Sequence, residues 1–292
     1  MTATSFHWTS ADGLKLHAHD HAALGPGDRG AVICLHGLTR NGRDFEDLAP
    51  KIAATGRRVL AADVRGRGQS DRDPNPANYN PLAYAGDVIS LMAAANLPGA
   101  IFIGTSMGGL ITMTLSAMRP DLIAGIVLND VGPEVGAAGL ARIAGYVGGG
   151  SAVATWAEAG AYCRAINGEA LPGLSDQDWV RFARRVFRET ASGTLELDYD
   201  PAISNAFKTP DAPSDAAVPP DLWPLFTAMT AGKPLLLVRG ALSDILEAPV
   251  ADRMGEVAPQ MVRVEVPGVG HAPTLDEPSA ALAILGFLAD LP

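Results

Sequence analysis

The stretch Gly104-Thr105-Ser106-Met107-Gly108 decides the fold, because it joins the apolar run Ala100 to Ile103 to the helical pattern Met107 to Met118. A strand, a sharp turn and a helix in this order lift a serine hydroxyl above the edge of a sheet. Glycine on both sides suits such a turn, since a Cβ there would collide where strand and helix meet. The stretch therefore predicts Ser106 as a nucleophile. The alternative is a serine that only caps the helix.

A serine nucleophile needs a base and an acid, and two later segments offer them. The run Pro234 to Val238 predicts a buried strand, which leads into Arg239-Gly-Ala-Leu-Ser-Asp244. The run Met261 to Val266 predicts another strand, which leads into Pro267-Gly-Val-Gly-His271. Nucleophile, acid and base then follow one another along the chain, each after a strand. We predict three catalytic residues: Ser106, Asp244 and His271.

Three further motifs accompany predicted strands. His36-Gly37 follows Ala31 to Leu35, Asp63-Val-Arg-Gly-Arg-Gly-Gln-Ser70 follows Arg58 to Ala62, and Gly270-His271 is followed by Asp276-Glu-Pro278. Together with the serine turn, these motifs resemble those of the α/β-hydrolase superfamily, in its esterase-like and carbon-carbon-hydrolase-like group, over nearly the whole chain. The resemblance implies an α/β fold, with a mostly parallel twisted sheet, helices on both faces and an inserted helical cap.

The resemblance also assigns roles to residues around the serine. The backbone N-H groups of Leu38 and Met107 would form the oxyanion hole. Esterase-like relatives carry the acid after the penultimate strand, which favours Asp244. Some members carry it where Asp130 stands, after the strand Ile123 to Leu128, so Asp130 is the alternative. The loop that begins at Asp63 is expected to be held by its own hydrogen bonds and ion pairs rather than to bind an anion.

Strands alternate with helical patterns up to Pro133, and the alternation resumes only at Pro234. We predict a core formed by residues 1–132 and 231–292, with a helical cap at 133–230. The best cap helices are predicted at Ser151 to Asn167 and Ser175 to Glu189. Aromatic residues of the cap are candidates for the walls of a substrate pocket, although aromatic residues at helical spacing usually form core. These candidates are Trp156, Tyr162, Phe207, Trp223 and Phe226.

Composition narrows the class of function. With 22 Lys and Arg against 32 Asp and Glu, the formal charge of −10 disfavours nucleic acid and anionic membrane surfaces as partners. No segment resembles a membrane span, and Met1 to Ser10 lacks the features of a signal peptide. The two cysteines, Cys34 and Cys163, are expected to be buried, reduced thiols, which is typical of a cytoplasmic protein.

Three histidines, His17, His19 and His21, alternate along one predicted strand and therefore share a face. Metal binding there is conceivable, but no carboxylate or cysteine cluster in the sequence completes a site, so a solvated edge-strand face is the preferred interpretation. The expected chemistry needs no metal and no cofactor.

The predicted function is hydrolysis of a small carboxylic ester, or a related acyl compound, through an acyl-enzyme intermediate. Carbon-carbon bond hydrolysis and lactone opening are the alternatives within the same fold. The segment His36-Gly-Leu-Thr-Arg-Asn-Gly42 departs from the more glycine-rich form of the carbon-carbon hydrolases. An alternative of another class is a small-molecule receptor with slow or no turnover.

Overall fold

The computed structural model describes residues 3–25, 29–207 and 221–292. Its strands are β1 (Thr4–Thr9), β2 (Lys15–His21), β3 (Arg29–Leu35), β4 (Arg57–Asp63), β5 (Ala100–Thr105), β6 (Ile123–Asn129), β7 (Phe187–Glu189), β8 (Leu195–Leu197), β9 (Leu235–Gly240) and β10 (Val262–Val266). Its α-helices are α1 (Ala49–Ala53), α2 (Pro81–Ala94), α3 (Met107–Met118), α4 (Ala137–Tyr146), α5 (Trp156–Asn167), α6 (Asp176–Val186), α7 (Trp223–Thr230), α8 (Ala248–Val257) and α9 (Pro278–Ala289). None of the helices in these ranges has the length and apolar character needed to cross a bilayer.

The main sheet has eight strands in the order β1-β2-β4-β3-β5-β6-β9-β10. The predicted opening hairpin is present, since β1 pairs antiparallel with β2, and β2 pairs antiparallel with β4. From β4 to β10 every neighbouring pair is parallel. The carboxyl ends of these six strands consequently lie at one edge, where their loops can place side chains together.

Both faces of the sheet are covered, as the uninterrupted apolar run of β5 predicts. Phe102 belongs to one apolar cluster with Ile111 of α3, whereas its neighbour Ile103 belongs to a second cluster with Ile284 of α9. Successive side chains of a strand point to opposite faces, so a strand buried on both sides must be apolar at every position. Each such fully buried side chain contributes about 1.5–3 kcal/mol of hydrophobic stabilisation.

The segment between β6 and β9 contains α4, α5, α6, α7 and the β7-β8 hairpin. The helices α5 and α6 and the hairpin share a separate apolar cluster, which includes Cys163, Trp179 and Phe187. In contrast, Ile143 of α4 and Phe226 of α7 belong to the main cluster that contains Phe102. We propose the cap at 133–230 as a unit of sequence. Among its described residues, 133–207 and 221–230, those that form the separate apolar cluster lie within 153–197.

Two predicted cap helices have different ends in the structure. The first begins at Trp156 and not at Ser151, because Thr155 and Glu158 form a capping box there. The second is capped by Ser175 and Asp178 as expected, but ends at Val186, after which the chain extends as β7 to pair with β8.

Candidate active site

Ser106 stands in a backbone conformation that few side chains adopt. Its φ of 51° and ψ of −113° place it at the turn between β5 and α3. The flanking glycines make this turn possible, because a Cβ on Gly104 would lie 2.6 Å from the carbonyl carbon of Gly108. A Cβ on Gly108 would lie 2.1 Å from the carbonyl oxygen of Leu35 on the neighbouring strand. Gly104 and Gly108 therefore have the steric role that the sequence predicts.

A chain of two hydrogen bonds runs from the serine to a buried carboxylate. Ser106 Oγ lies 2.9 Å from His271 Nε2, and His271 Nδ1 lies 2.7 Å from Asp130 Oδ2. Because Nδ1 faces a carboxylate, it carries the proton, and Nε2 is left to accept the hydrogen bond from the serine hydroxyl. The arrangement can take a proton from Ser106 and hold the imidazole in the orientation that this transfer needs.

Asp130 follows directly after β6 and is held on several sides. Its Oδ1 accepts from the backbone N-H of Gly240 at 2.8 Å, and its Oδ2 accepts from Ser243 Oγ at 2.6 Å. Its own backbone N-H donates to the carbonyl oxygen of Val238 at 2.8 Å. Asp130 is fully buried, so these bonds fix the carboxylate at the edge of the sheet between β6 and β9.

The prediction of Asp244 as the acid partner is corrected by this geometry. In the loop after β9, Ser243 and not Asp244 turns towards the site. Asp244 instead accepts two hydrogen bonds from Arg142 of α4, from Nε at 2.7 Å and from Nη2 at 2.8 Å. The hydrogen bond from Arg142 lowers the pKa of the Asp244 carboxyl. Asp244 therefore joins α4 to the loop after β9, and Asp130, the alternative from the sequence, holds the histidine.

The two predicted oxyanion donors are both near Ser106. Leu38 lines the same cavity as Ser106, and Met107 is the next residue along the chain. Within the described ranges, neither backbone N-H donates to a protein acceptor. The buried Arg67 contacts both residues, since its Nε donates to the carbonyl oxygen of Leu38 at 3.1 Å and its Nη2 lies 3.6 Å from Met107 Sδ. Arg67 thus fixes the two segments relative to each other.

His36 holds the loop that carries Leu38. Its Nδ1 lies 2.7 Å from the carbonyl oxygen of Gly37, and its Nε2 accepts from the backbone N-H of Val64 at 3.1 Å. Complete burial lowers the pKa of the imidazole to about 4, so the ring is neutral at physiological pH. A neutral ring can donate through one nitrogen and accept through the other, which is the pattern found here.

The lowered pKa of His36 predicts a pH-dependent stability. Between pH 6.5, the ordinary value, and about pH 4, the unfolded chain binds a proton at this residue and the folded chain does not. The unfolding free energy should therefore fall as the pH is lowered through this window, by up to about 3 kcal/mol from this residue. Urea unfolding at several pH values, with His36→Gln beside the wild type, measures the contribution. A variant with the same pH slope as the wild type would contradict it.

A cavity of about 90 Å³ opens beside Ser106 and His271. The sheet domain supplies one side, including Leu38 and Arg40, and the inserted segment supplies the other. The apolar walls from the inserted segment are Ile143, Tyr146, Leu171 and Phe182. None of these four residues was predicted from the sequence. Arg40 could have been noticed, because it is a cationic residue two positions after Leu38.

The aromatic residues predicted to line the pocket are mostly elsewhere. Phe226 and Trp223 pack in the main core, where the Trp223 indole donates to Glu134. Trp156 packs in the cap cluster beneath Arg184, and it lines neither of the two cavities near the site. The structure places these three side chains away from the cavity of Ser106, because the helices that carry them must first cover apolar surface of their own.

The other two aromatic candidates have different outcomes. Tyr162 lines a second cavity of about 30 Å³, which shares Thr39, Arg40, Tyr146 and Asn167 with the first. Tyr162 is therefore near the candidate pocket but outside its main chamber. The side chain of Phe207 lies outside the described residues.

The loop that begins at Asp63 is held by ion pairs, as expected, and these pairs also join it to neighbouring segments. Arg65 pairs with three carboxylates, those of Asp12, Asp73 and Asp87, and is itself almost completely buried. Removing such an arginine would leave buried carboxylates unpaired, a change that typically costs about 3–5 kcal/mol. The charges of this loop therefore serve its folding rather than an anion site.

The histidines of β2 do not form the solvated edge-strand face that was predicted, because β2 packs against Asp63 of β4. Since β2 lies between β1 and β4, His17 is fully buried, and its Nδ1 lies 2.8 Å from Asp63 Oδ2. His19 Nε2 lies 3.8 Å from Asp63 Oδ1, so a carboxylate does complete a cluster of three possible metal ligands. The same carboxylate accepts from the backbone N-H groups of Gly42 at 2.7 Å and Gln69 at 2.9 Å. Because its oxygens are already satisfied, we interpret the cluster as structural.

Sheet topology, the strained serine and the hydrogen-bonded histidine together define a hydrolase-type architecture. The family model described as alpha/beta hydrolase fold matches residues 30–278. The chain belongs to the α/β-hydrolase fold family.

Individual relatives agree with this assignment. The chain is 35% identical over 258 residues to a 3-hydroxybutyrate-oligomer hydrolase of Cupriavidus necator, covering 87% of this chain and 86% of the relative. It is 27% identical over 258 residues to a 2-(acetamidomethylene)succinate hydrolase of Mesorhizobium japonicum, covering 88% and 87%. The crystal structure of an alpha/beta hydrolase from Novosphingobium aromaticivorans superposes with a TM-score of 0.90 at 44% identity, covering 99% of this chain and 98% of the other. The protein is a hydrolase of this fold.

Proposed function

We propose that the protein is a serine hydrolase that cleaves short carboxylic esters through an acyl-enzyme intermediate. The observation that carries the proposal is the hydrogen-bonded chain from Ser106 through His271 to Asp130. This chain ends on a serine held at a strained turn beside a cavity. These are the parts that nucleophilic acyl transfer requires.

In the proposed mechanism, His271 Nε2 takes the proton of Ser106 as its Oγ attacks the acyl carbon. Asp130 orients the imidazole and stabilises its charged form. The backbone N-H groups of Leu38 and Met107 hold the negative oxygen, and each such donor lowers the barrier by roughly 3 kcal/mol. His271 then gives its proton to the leaving alcohol. Water, deprotonated in turn by His271, releases the acid and restores the serine.

The size of the cavity and the similarity to known hydrolases support a short substrate. A cavity of about 90 Å³ whose lining includes Ile143, Leu171 and Phe182 suits an acyl group of a few carbons. The relative from Cupriavidus necator is described as acting on oligomers of 3-hydroxybutyrate, which are esters of a four-carbon hydroxy acid. We therefore propose short hydroxyacyl esters of this kind as the first substrates to test.

Hydrolysis of p-nitrophenyl acetate, butyrate and octanoate, together with the linear dimer of 3-hydroxybutyrate, tests the proposal. We expect kcat/KM for butyrate to exceed that for octanoate by at least about tenfold, since each poorly fitting methylene costs a fraction of the binding energy in a closed pocket. Labelling with a fluorophosphonate, followed by peptide mass spectrometry, should place the probe on Ser106.

The possible failures are distinguishable. Labelling of Ser106 without hydrolysis of any ester would reject the substrate class and direct attention to lactones and β-diketones. An absence of both labelling and turnover would reject the enzymatic mechanism and favour a receptor.

A further inference from the structure

One cationic group in the cavity of Ser106 is not fully used by the protein. Two arginines line this cavity, Arg40 and Arg185. Arg185 is saturated, because its Nε pairs with Glu46, its Nη1 with Asp276 and its Nη2 with Asp47. Arg40 has only one carboxylate partner among the described residues, Asp44. The two arginines therefore differ in what they can offer to a ligand.

The partner of Arg40 occupies one edge of the guanidinium. Asp44 accepts from Nε at 2.9 Å and from Nη2 at 2.5 Å. Within the described part of the chain, Nη1 donates to no protein acceptor. A guanidinium has two edges that can each bind a carboxylate in a bidentate manner, so the edge formed by Nη1 and Nη2 is left for another oxygen pair.

The position of Arg40 is fixed before any ligand binds. Its Cζ lies 3.9 Å from the centre of the Phe182 ring of α6, while Asp44 holds one edge of the guanidinium. Its side chain is 17% exposed. A group that is already oriented loses little conformational entropy on binding, which favours recognition of a matching ligand.

Arg40 also lies where two cavities meet. It lines the cavity of Ser106 and the second cavity of about 30 Å³ that contains Tyr162. A substrate that extends from Ser106 towards the second cavity therefore passes close to Arg40. Because the whole chain carries a formal charge of −10, a local cation favours the entry of an anionic substrate into this cavity.

We propose that Arg40 forms a carboxylate-binding subsite, and that the natural substrates are esters with a free carboxylate at the end remote from the scissile bond. The reaction in this statement rests on the proposed function, whereas the subsite itself can be tested by binding alone. The carboxylate binds the Nη1-Nη2 edge, and Asp44 keeps the other edge in place. Recognition thus combines charge with the planar geometry of two hydrogen bonds.

The binding test uses Ser106→Ala as the parent, so that nothing is turned over. Affinity for 3-hydroxybutyrate and for its uncharged methyl ester is measured by ligand-observed NMR titration. We expect the acid to bind more tightly than the methyl ester. Arg40→Gln in this background should weaken binding of the acid by about ten- to a hundredfold, as the loss of a charged bidentate contact implies, and should abolish the preference for the acid.

Three controls separate the subsite from net charge and from misfolding. Arg181→Gln removes a charge from the exposed face of the same helix that carries Phe182, and should keep the preference. The double variant Arg40→Gln/Asp44→Asn restores the charge balance of the pair, and should still lack the preference for the acid over the methyl ester. Arg40→Lys retains the positive charge but lacks the planar guanidinium, and should keep only part of the preference for the acid. Equal affinities for acid and methyl ester in the parent, or an unchanged preference in Arg40→Gln, would overturn the proposal.

Turnover is measured separately on the 3-hydroxybutyrate dimer and its methyl ester. The wild type should favour the free acid in kcat/KM, mainly through KM, and Arg40→Gln should lose this discrimination. If neither ester is hydrolysed, the proposed function fails while the binding data still decide on the subsite. If both are hydrolysed equally well by the wild type, the subsite fails and the proposed function stands.

Discussion

Ser106→Ala is expected to lower kcat/KM for short esters by at least about 10⁴-fold, because without its hydroxyl the site can neither form an acyl-enzyme nor use His271 as a base. The substitution removes one oxygen and retains a small residue at the strained turn. Little change in stability is therefore expected. Stopped-time assays with p-nitrophenyl butyrate, at enzyme concentrations high enough to detect residual activity, measure the loss.

A matched serine lies in α3, the helix that begins directly after Ser106. Ser116 is buried, and its hydroxyl donates to the helix carbonyl of Met113 at 2.7 Å. Ser116→Ala should therefore hydrolyse p-nitrophenyl butyrate at close to the wild-type rate and should still react with a fluorophosphonate. Residual activity in Ser106→Ala above about one per cent of wild type would show that another nucleophile operates, since removal of a true serine nucleophile leaves far less.

Asp130→Asn is expected to lower kcat by about 10³–10⁴-fold, because an amide facing His271 Nδ1 favours the wrong tautomer of the ring and does not stabilise the imidazolium. The buried hydrogen bond at 2.7 Å is the contact that the substitution alters. The volume of the side chain is retained, so the backbone bonds of residue 130 to the neighbouring strand should persist. Activity should be measured from pH 5 to 10, because the wrong tautomer also changes the shape of the pH profile.

Asp244→Asn is the comparison that decides the identity of the acid. This change weakens the ion pair between Arg142 and the loop after β9, which is partly exposed and contributes at most about 1 kcal/mol. We expect kcat to change less than about tenfold, because the hydrogen bond between Asp130 and His271 is left intact. A loss in Asp244→Asn as large as that in Asp130→Asn would contradict the assignment of Asp130 and restore the prediction made from the sequence.

The sheet and the serine turn could be predicted because their signals are local. The two glycines around Ser106 answer a steric requirement within five residues, and β5 shows its burial in its own composition. His271 was also accessible, since it follows the last strand of a repeating pattern. In these places a few neighbouring residues determine the structure, which is the condition under which sequence patterns are informative.

The carboxylate partner of His271 could not be predicted in the same way, because it depends on how the loops after two neighbouring strands are arranged relative to each other. Asp130 and Asp244 both follow strands, β6 and β9, which are neighbours in the sheet. Which carboxylate meets His271 is decided by the turn after Gly240, where Ser243 faces the site. Chain order alone does not contain this information.

The residues that line the cavity could not be predicted from the sequence for a related reason. Trp223 and Phe226 are large aromatic residues of the type that often lines a pocket. However, α7 packs on α3, and this packing buries both side chains. Phe182 and Tyr146 line the cavity because the cap folds back over the sheet. Burial by tertiary packing overrides what side-chain type suggests.

Residues 153–197 pack around an apolar cluster that is separate from the core of the sheet, so this segment is a natural unit for engineering. The hydrogen-bonded chain from Ser106 through His271 to Asp130 comes entirely from loops of the sheet, whereas α6 contributes Phe182 to the cavity wall. Contact between this segment and the sheet domain includes polar anchors, notably Arg185 with its three carboxylates. We expect residues 153–197 to be exchangeable with the equivalent segment of a relative that retains those anchors. Such a chimera would keep its hydrolytic chemistry and the Arg40 subsite, and would acquire the donor's form of the cavity wall that Leu171 and Phe182 provide here.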